Sequence, residues 1–209
     1  MAEERSSKLD DQEKIMNAKQ TVDKIQSKQG KGMMKQIYDY LRGEKTKPEW
    51  RCLMFKNAAM PKATFTLWIF LNRKLATVDK LAKWGMTLDK SCVLCKSADE
   101  NMDHMFIQCH YAGEVWERLL QWIGNHSNRP RTWAPFIQWS IQNGKGESTR
   151  AQLFKMILAE GVYALWNERN KRIFEDKSCL IDNVVKKITY VTIARSSTSI
   201  KNVIIHRKI

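Results

Sequence analysis

The sequence predicts a mainly α-helical protein, a helical domain with an embedded zinc knuckle. Two observations carry that prediction. Apolar residues recur at helical spacing in several segments, most cleanly Ala112, Val115, Trp116, Leu119, Leu120 and Ile123. Between them, Cys92, Cys95, His104 and Cys109 follow the pattern C-x2-C-x8-H-x4-C. Zinc takes thiolate and imidazole ligands tetrahedrally, and a C-x2-C turn presents two thiolates together. Four protein ligands leave no position for water, so one Zn2+ here would be structural rather than catalytic. The plain alternative is a set of reduced cysteines beside a helix, and His110, next to Cys109, could replace one of the ligands.

Residues 1–32 read as a polar extension, partly helical over about 11–27 through Ile15, Ala18, Val22 and Ile25. A short helix is expected over 33–42. Pro61 suits the first position of a helix running to about Leu75. Phe65, Trp68, Ile69 and Leu71 make that helix apolar on most sides, so it is expected to be buried. Thr77 is a natural N-cap for a short helix over Val78–Trp84, ended by Gly85. After the knuckle comes the 112–123 helix, stopped by Gly124. A loop is then expected, with Pro130, Pro135 and the aromatics Trp133, Phe136 and Trp139, followed by a flexible break at 143–146. Thr149 and Gln152 form a capping-box pair that opens a long core helix to about Phe174. Its last turns are basic (Arg169, Lys171, Arg172), which suits the helix dipole. A final amphipathic helix is expected over Leu180–Ala194. The tail from Ile200 could be a strand or disordered.

Composition narrows the function classes. The chain has 209 residues, 43% of them hydrophobic, with 8 Trp, 7 Phe and 5 Tyr, enough for a real core. The net charge of +14 favours polyanions, nucleic acid first. Lys62, Arg73, Lys74, Lys80 and Lys83 are the candidate phosphate contacts. No signal, transit or transmembrane segment is expected. Five cysteines without disulfide-framework spacing fit reduced thiols in the nucleus or cytoplasm. No phosphate loop, nucleophile elbow or grouped nucleophile and base is present, so no small-molecule substrate and no membrane partner are expected. Cys52 and Cys179 read as small, buried thiols. His126 and His206 read as surface residues.

Trp50, Phe55, Pro61-Lys62, Phe65-Thr66-Leu67-Trp68, Arg73, Leu75-Ala76-Thr77, Asp79, Leu81, Trp84-Gly85, the four proposed ligands, Glu100, Phe106 and Val115-Trp116 carry a specific resemblance. This stretch resembles the zinc-binding domain that follows the reverse transcriptase in plant LINE-type (non-LTR) retrotransposons. The later run Trp166–Phe174 is similar to the segment those polyproteins carry before their ribonuclease H domain. The resemblance thus covers about residues 33–176, with a basic helix and tail over 177–209 outside it. It implies a non-catalytic module that holds template RNA or target DNA, with Cys92, Cys95, His104 and Cys109 on the metal. Polymerase and ribonuclease H motifs are missing, so a stand-alone fragment of a retroelement is expected. The alternative is a domesticated protein-interaction or scaffold module in which zinc only holds the fold, with Trp133 and Trp139 as exposed contacts.

Overall fold

A computed structural model describes residues 47–87 and 89–204. The chain divides into two compact units at Pro48–Glu49, and the described elements all belong to the second. The helices expected over 11–27 and 33–42 lie outside the described residues.

The described elements are helical. In chain order they are α1 (Arg51–Met54), α2 (Pro61–Leu71), α3 (Val78–Lys83), a π-helical turn (His104–Gln108), α4 (His110–Trp122), α5 (Trp133–Gly144), α6 (Thr149–Phe174), α7 (Ile181–Arg195) and α8 (Thr198–Ile204). No strand forms among the described residues. Among the described residues, an isolated bridge between Ser91 and Asp99 is the one β contact.

The long helix α6 organises the unit, packing against α2, α4, α5, α7 and α8. Its 26 residues span about 39 Å. Leu153, Phe154, Ile157, Leu158, Val162 and Leu165 are buried, as expected of a central helix. Its N-cap is Ser148, one residue before the expected Thr149, because the Ser148 side chain accepts from the Ala151 amide at 3.2 Å. Close approach of α4 depends on Gly161, where a Cβ would meet the Trp116 ring at 2.5 Å. Trp116 is buried there, its indole N–H donating to the Phe106 carbonyl at 2.9 Å.

Helix α4 buries every apolar position of its predicted stripe, and Gly124 ends it at φ 68°. Helix α2 departs from expectation twice. It stops at Leu71, with Arg73 in the left-handed region at φ 55°. It is also not buried all round: Leu67, Phe70 and Leu71 face the core, whereas Phe65 is 61% exposed and Trp68 43%.

The stretch expected to be a loop contains α5. Pro135 stands in its first turn, where no amide is needed for the helical ladder. Phe136 is buried, Trp133 packs on Phe70 with ring centroids 4.9 Å apart, and Trp139 meets Phe154 edge-on at 5.2 Å. Trp133 and Trp139 are therefore half-buried packing residues, not exposed contacts. The expected break at 143–146 is partly helix: Gly144 ends α5, and a Cβ there would meet Leu53 at 2.5 Å. The tail also differs, since Thr198–Ile204 is helical with Ile200 and Ile204 buried. Residues 205–209, including His206, lie outside the described residues.

Candidate metal centre

Two local devices bring Cys92, Cys95, His104 and Cys109 together. The first is a tight turn. The Cys92 amide donates to the Ala98 carbonyl at 2.8 Å and the Lys96 amide to the Cys92 carbonyl at 2.7 Å, with Lys96 at φ 57°. The Ser91–Asp99 bridge closes its base. The second device is the π-helical turn, in which the Cys109 amide donates to the His104 carbonyl at 2.7 Å. In an α-helix, residues five apart point about 140° away from each other. A turn closed by an i to i+5 bond returns them toward one side, which suits the x4 spacing of His104 and Cys109.

One ligand atom from each of the four lies within 4.8 Å of all the others. His104 Nε2 is 3.1 Å from Cys95 Sγ. Zinc bonds of about 2.3 Å to sulfur and 2.0–2.1 Å to nitrogen place tetrahedral ligands roughly 3.5–3.8 Å apart. The cluster thus fits a zinc ion in donor type, number and spacing. Cys92, His104 and Cys109 are buried and Cys95 half-buried. His110 opens α4, is exposed, and does not belong to the cluster.

One interaction between Cys92 and Cys109 moves the two thiols in opposite directions. The Cys109 thiol donates to the Cys92 sulfur and holds the Cys92 pKa below the usual thiol range, helped by the Cys95 and Leu94 amides against the effect of burial. The Cys109 pKa is pushed up correspondingly, by that bond to Cys92 and then by burial. A bound zinc would supply charge that lets three thiolates share one buried site, cross-linking the turn to the start of α4.

Side chains from distant helices hold the knuckle from behind. Arg172 Nη1 donates to the carbonyls of Val93 and Leu94, both at 3.1 Å, inside the C-x2-C turn. Its Nε donates to Glu168 at 2.9 Å, and its guanidinium lies 4.7 Å from the Tyr111 ring centroid. Glu168 also accepts from the Cys179 amide at 2.8 Å, and the Tyr111 hydroxyl donates to the Cys179 carbonyl at 3.0 Å. Glu100 accepts from the Val78 amide at 3.0 Å and pairs with Arg169 at 2.7 Å. The cap of α3 thus comes from Glu100, while Thr77 Oγ1 donates instead to Asp79. Arg169 and Arg172, expected to serve the helix dipole, bind the knuckle. Nothing in the local pattern distinguished them from ordinary C-terminal bases.

The proposed phosphate contacts are scattered in environment. Lys62, Lys74 and Lys83 are exposed. Arg73 pairs with Asp103 at 2.8 Å and lies 4.3 Å over the Trp133 ring. Lys80 is half-buried: its ammonium donates to the carbonyls of Arg73 and Leu75 and contacts the Met102 sulfur at 3.3 Å. Burial lowers its pKa. Lys80 thus ties the end of α2 to α3. Cys52 and Cys179 are half-buried, and burial raises the Cys52 pKa. His126 is exposed.

Residues 33–116 match the family described as zinc-binding in reverse transcriptase. That stretch contains all four clustered ligands and the α2 and α3 bases, and it ends before the Trp166–Phe174 run. Comparison with curated proteins and with solved structures gives no match. No described helix is long and apolar enough to cross a membrane.

Proposed function

We propose that this protein is a non-catalytic nucleic-acid-binding module in which one structural zinc ion, on Cys92, Cys95, His104 and Cys109, holds the fold. The observation that carries the reading is the Cys3His cluster inside a stretch that matches a reverse transcriptase zinc-binding domain. The net charge of +14 supports an anionic partner. Exposed Lys62, Lys74 and Lys83, with Arg73, supply the phosphate contacts, which position a protein without reading sequence. Lys80 contributes by fixing the α2–α3 junction. Derivation from a plant LINE-type retroelement, and action in the nucleus or cytoplasm, belong to the same proposal. The buried acids of α6 fit the non-catalytic part: Glu160 accepts from the Met60 amide and Glu168 from Arg172 and Cys179.

The test is binding of the zinc-loaded protein to RNA and DNA across a salt series. Affinity is expected to fall by roughly 0.7–0.9 log units per phosphate contact for each log unit of salt. Absence of binding at low salt would favour the scaffold reading. Magnesium-dependent primer extension or strand cleavage that copurifies with the protein would overturn the non-catalytic part.

A further inference from the structure

The outer face of α2 carries an aromatic pair that the packing does not use. Phe65 and Trp68 stand three residues apart, with ring centroids 6.1 Å apart and planes inclined by only 18°. Both are exposed, and neither belongs to the core or to the partly buried residues packed on it. Lys62 precedes the pair by one helical step and Lys74 follows the helix end. Both are exposed, and neither forms an ion pair among the described residues. The sequence from Trp50 to Val78 contains no Asp or Glu at all. Asp103 is the acid that approaches the end of α2, and Arg73 neutralises it.

An exposed apolar pair would be expected to recruit any apolar partner. The charge around this one selects among partners. A segment that supplies no acid of its own and flanks the pair with lysines favours a ligand with both flat apolar faces and a repeating negative charge. Unpaired nucleobases on a phosphate backbone have both, whereas in a duplex the base faces are already stacked.

We infer that Phe65 and Trp68 form a base-stacking platform for single-stranded nucleic acid, with Lys62 and Lys74 holding the phosphates on either side. This rests on the nucleic-acid reading above and assigns that reading a surface and a strand state. Stacking is indifferent to base identity because every base offers a π face, so the site would be sequence-tolerant.

The experiment compares an ordinary single strand, a duplex, and an abasic strand that keeps the phosphates but lacks the bases. Wild type is expected to prefer the ordinary single strand. Phe65→Ala and Trp68→Ala should each weaken its binding about fivefold or more, with an unchanged salt slope, since no phosphate contact is lost. Lys62→Ala and Lys74→Ala should each lower the slope by about 0.7. The abasic strand should bind wild type and the aromatic double variant alike. Both aromatics are exposed, so unchanged thermal melting confirms that the variants fold. Equal wild-type binding to ordinary and abasic strands, or aromatic variants with full affinity, would overturn the platform while leaving nucleic-acid binding intact. No binding to any strand would remove the underlying reading as well.

Discussion

Arg169 and Glu100 form a buried ion pair between the long helix and the middle of the zinc knuckle. Arg169 Nη2 donates to Glu100 Oε1 at 2.7 Å, and Nε lies 3.2 Å from both carboxylate oxygens. The residues are 3% and 2% exposed. With so little solvent, each charge is tolerable only because of the other. Glu100 also accepts the Val78 amide, so one carboxylate joins α3, the knuckle and α6.

Removing one partner should therefore cost more than removing the charge of both. Arg169→Ala is expected to destabilise by about 3–5 kcal/mol, because Glu100 is left buried and uncompensated. The double variant Glu100→Gln with Arg169→Met keeps an acceptor for Val78 and carries no buried charge. It should lose clearly less. Urea midpoints of the three proteins decide the matter, and equal losses would contradict the argument.

The zinc prediction is one ion per chain. Cys92→Ser, Cys95→Ser, His104→Ala and Cys109→Ser should lose it, while Cys52→Ser and Cys179→Ser keep it. With thiolates and a neutral imidazole as the proposed ligands, protons would compete with the metal, and zinc should leave as pH falls. A chelator should speed amide exchange in the knuckle and the start of α4 more than in the middle of α6, which is held by buried Ile157, Leu158, Val162 and Leu165. Metal analysis and hydrogen exchange read both. Full zinc content in Cys92→Ser would remove that residue from the ligand set.

Arg172 tests whether the knuckle depends on distant support. Arg172→Ala frees the Val93 and Leu94 carbonyls inside the C-x2-C turn. Loss of groups that orient metal ligands typically lowers affinity 10–100-fold. A drop of about that size is expected in a competition assay with a chromophoric chelator. Arg172→Lys should not restore it, since one ammonium cannot reproduce the fork that holds Val93, Leu94 and Glu168.

Glu160 gives a pH dependence of defined sign. Burial raises its pKa above the ordinary carboxylate value, against the Met60 amide and the charges of Arg195 and Lys187. The folded protein therefore holds this proton more tightly than the unfolded chain. The resulting stabilisation is full below the unfolded pKa and is lost as pH rises through the folded one. Glu160→Gln keeps the acceptor for Met60 without that titration. Its stability relative to wild type should rise as pH increases from the unfolded carboxylate pKa through the folded one. A difference that is flat or falls over that range would refute the assignment.

Much of this fold and site is legible in the sequence alone. The stripe of α4, the extent of α6 and the ligand spacing all depend on local periodicity, which the sequence displays directly. Helix α5 was hidden because Pro130 and Pro135 look like loop punctuation, although proline is compatible with a first turn. Helix α8 was hidden because its β-branched residues suit a strand equally well. The exposure of Phe65 and Trp68 was invisible for a different reason. An apolar helix reveals how many apolar positions it has, but only its neighbours determine which of them are covered. The same holds for Lys80, Arg169 and Arg172, whose charge is obvious in the sequence and whose partners are long-range.

The bonds from Arg172 to Val93 and Leu94 cross 79 and 78 residues of chain. A gene fragment ending at residue 116 would still encode every ligand, yet its product would leave the turn carbonyls and Glu100 bare. The signature that marks the domain is thus shorter than the piece that must be inherited together. Any recombination event, transplant or expression boundary that respects the signature alone would separate the four clustered side chains from the arginines that brace their turn.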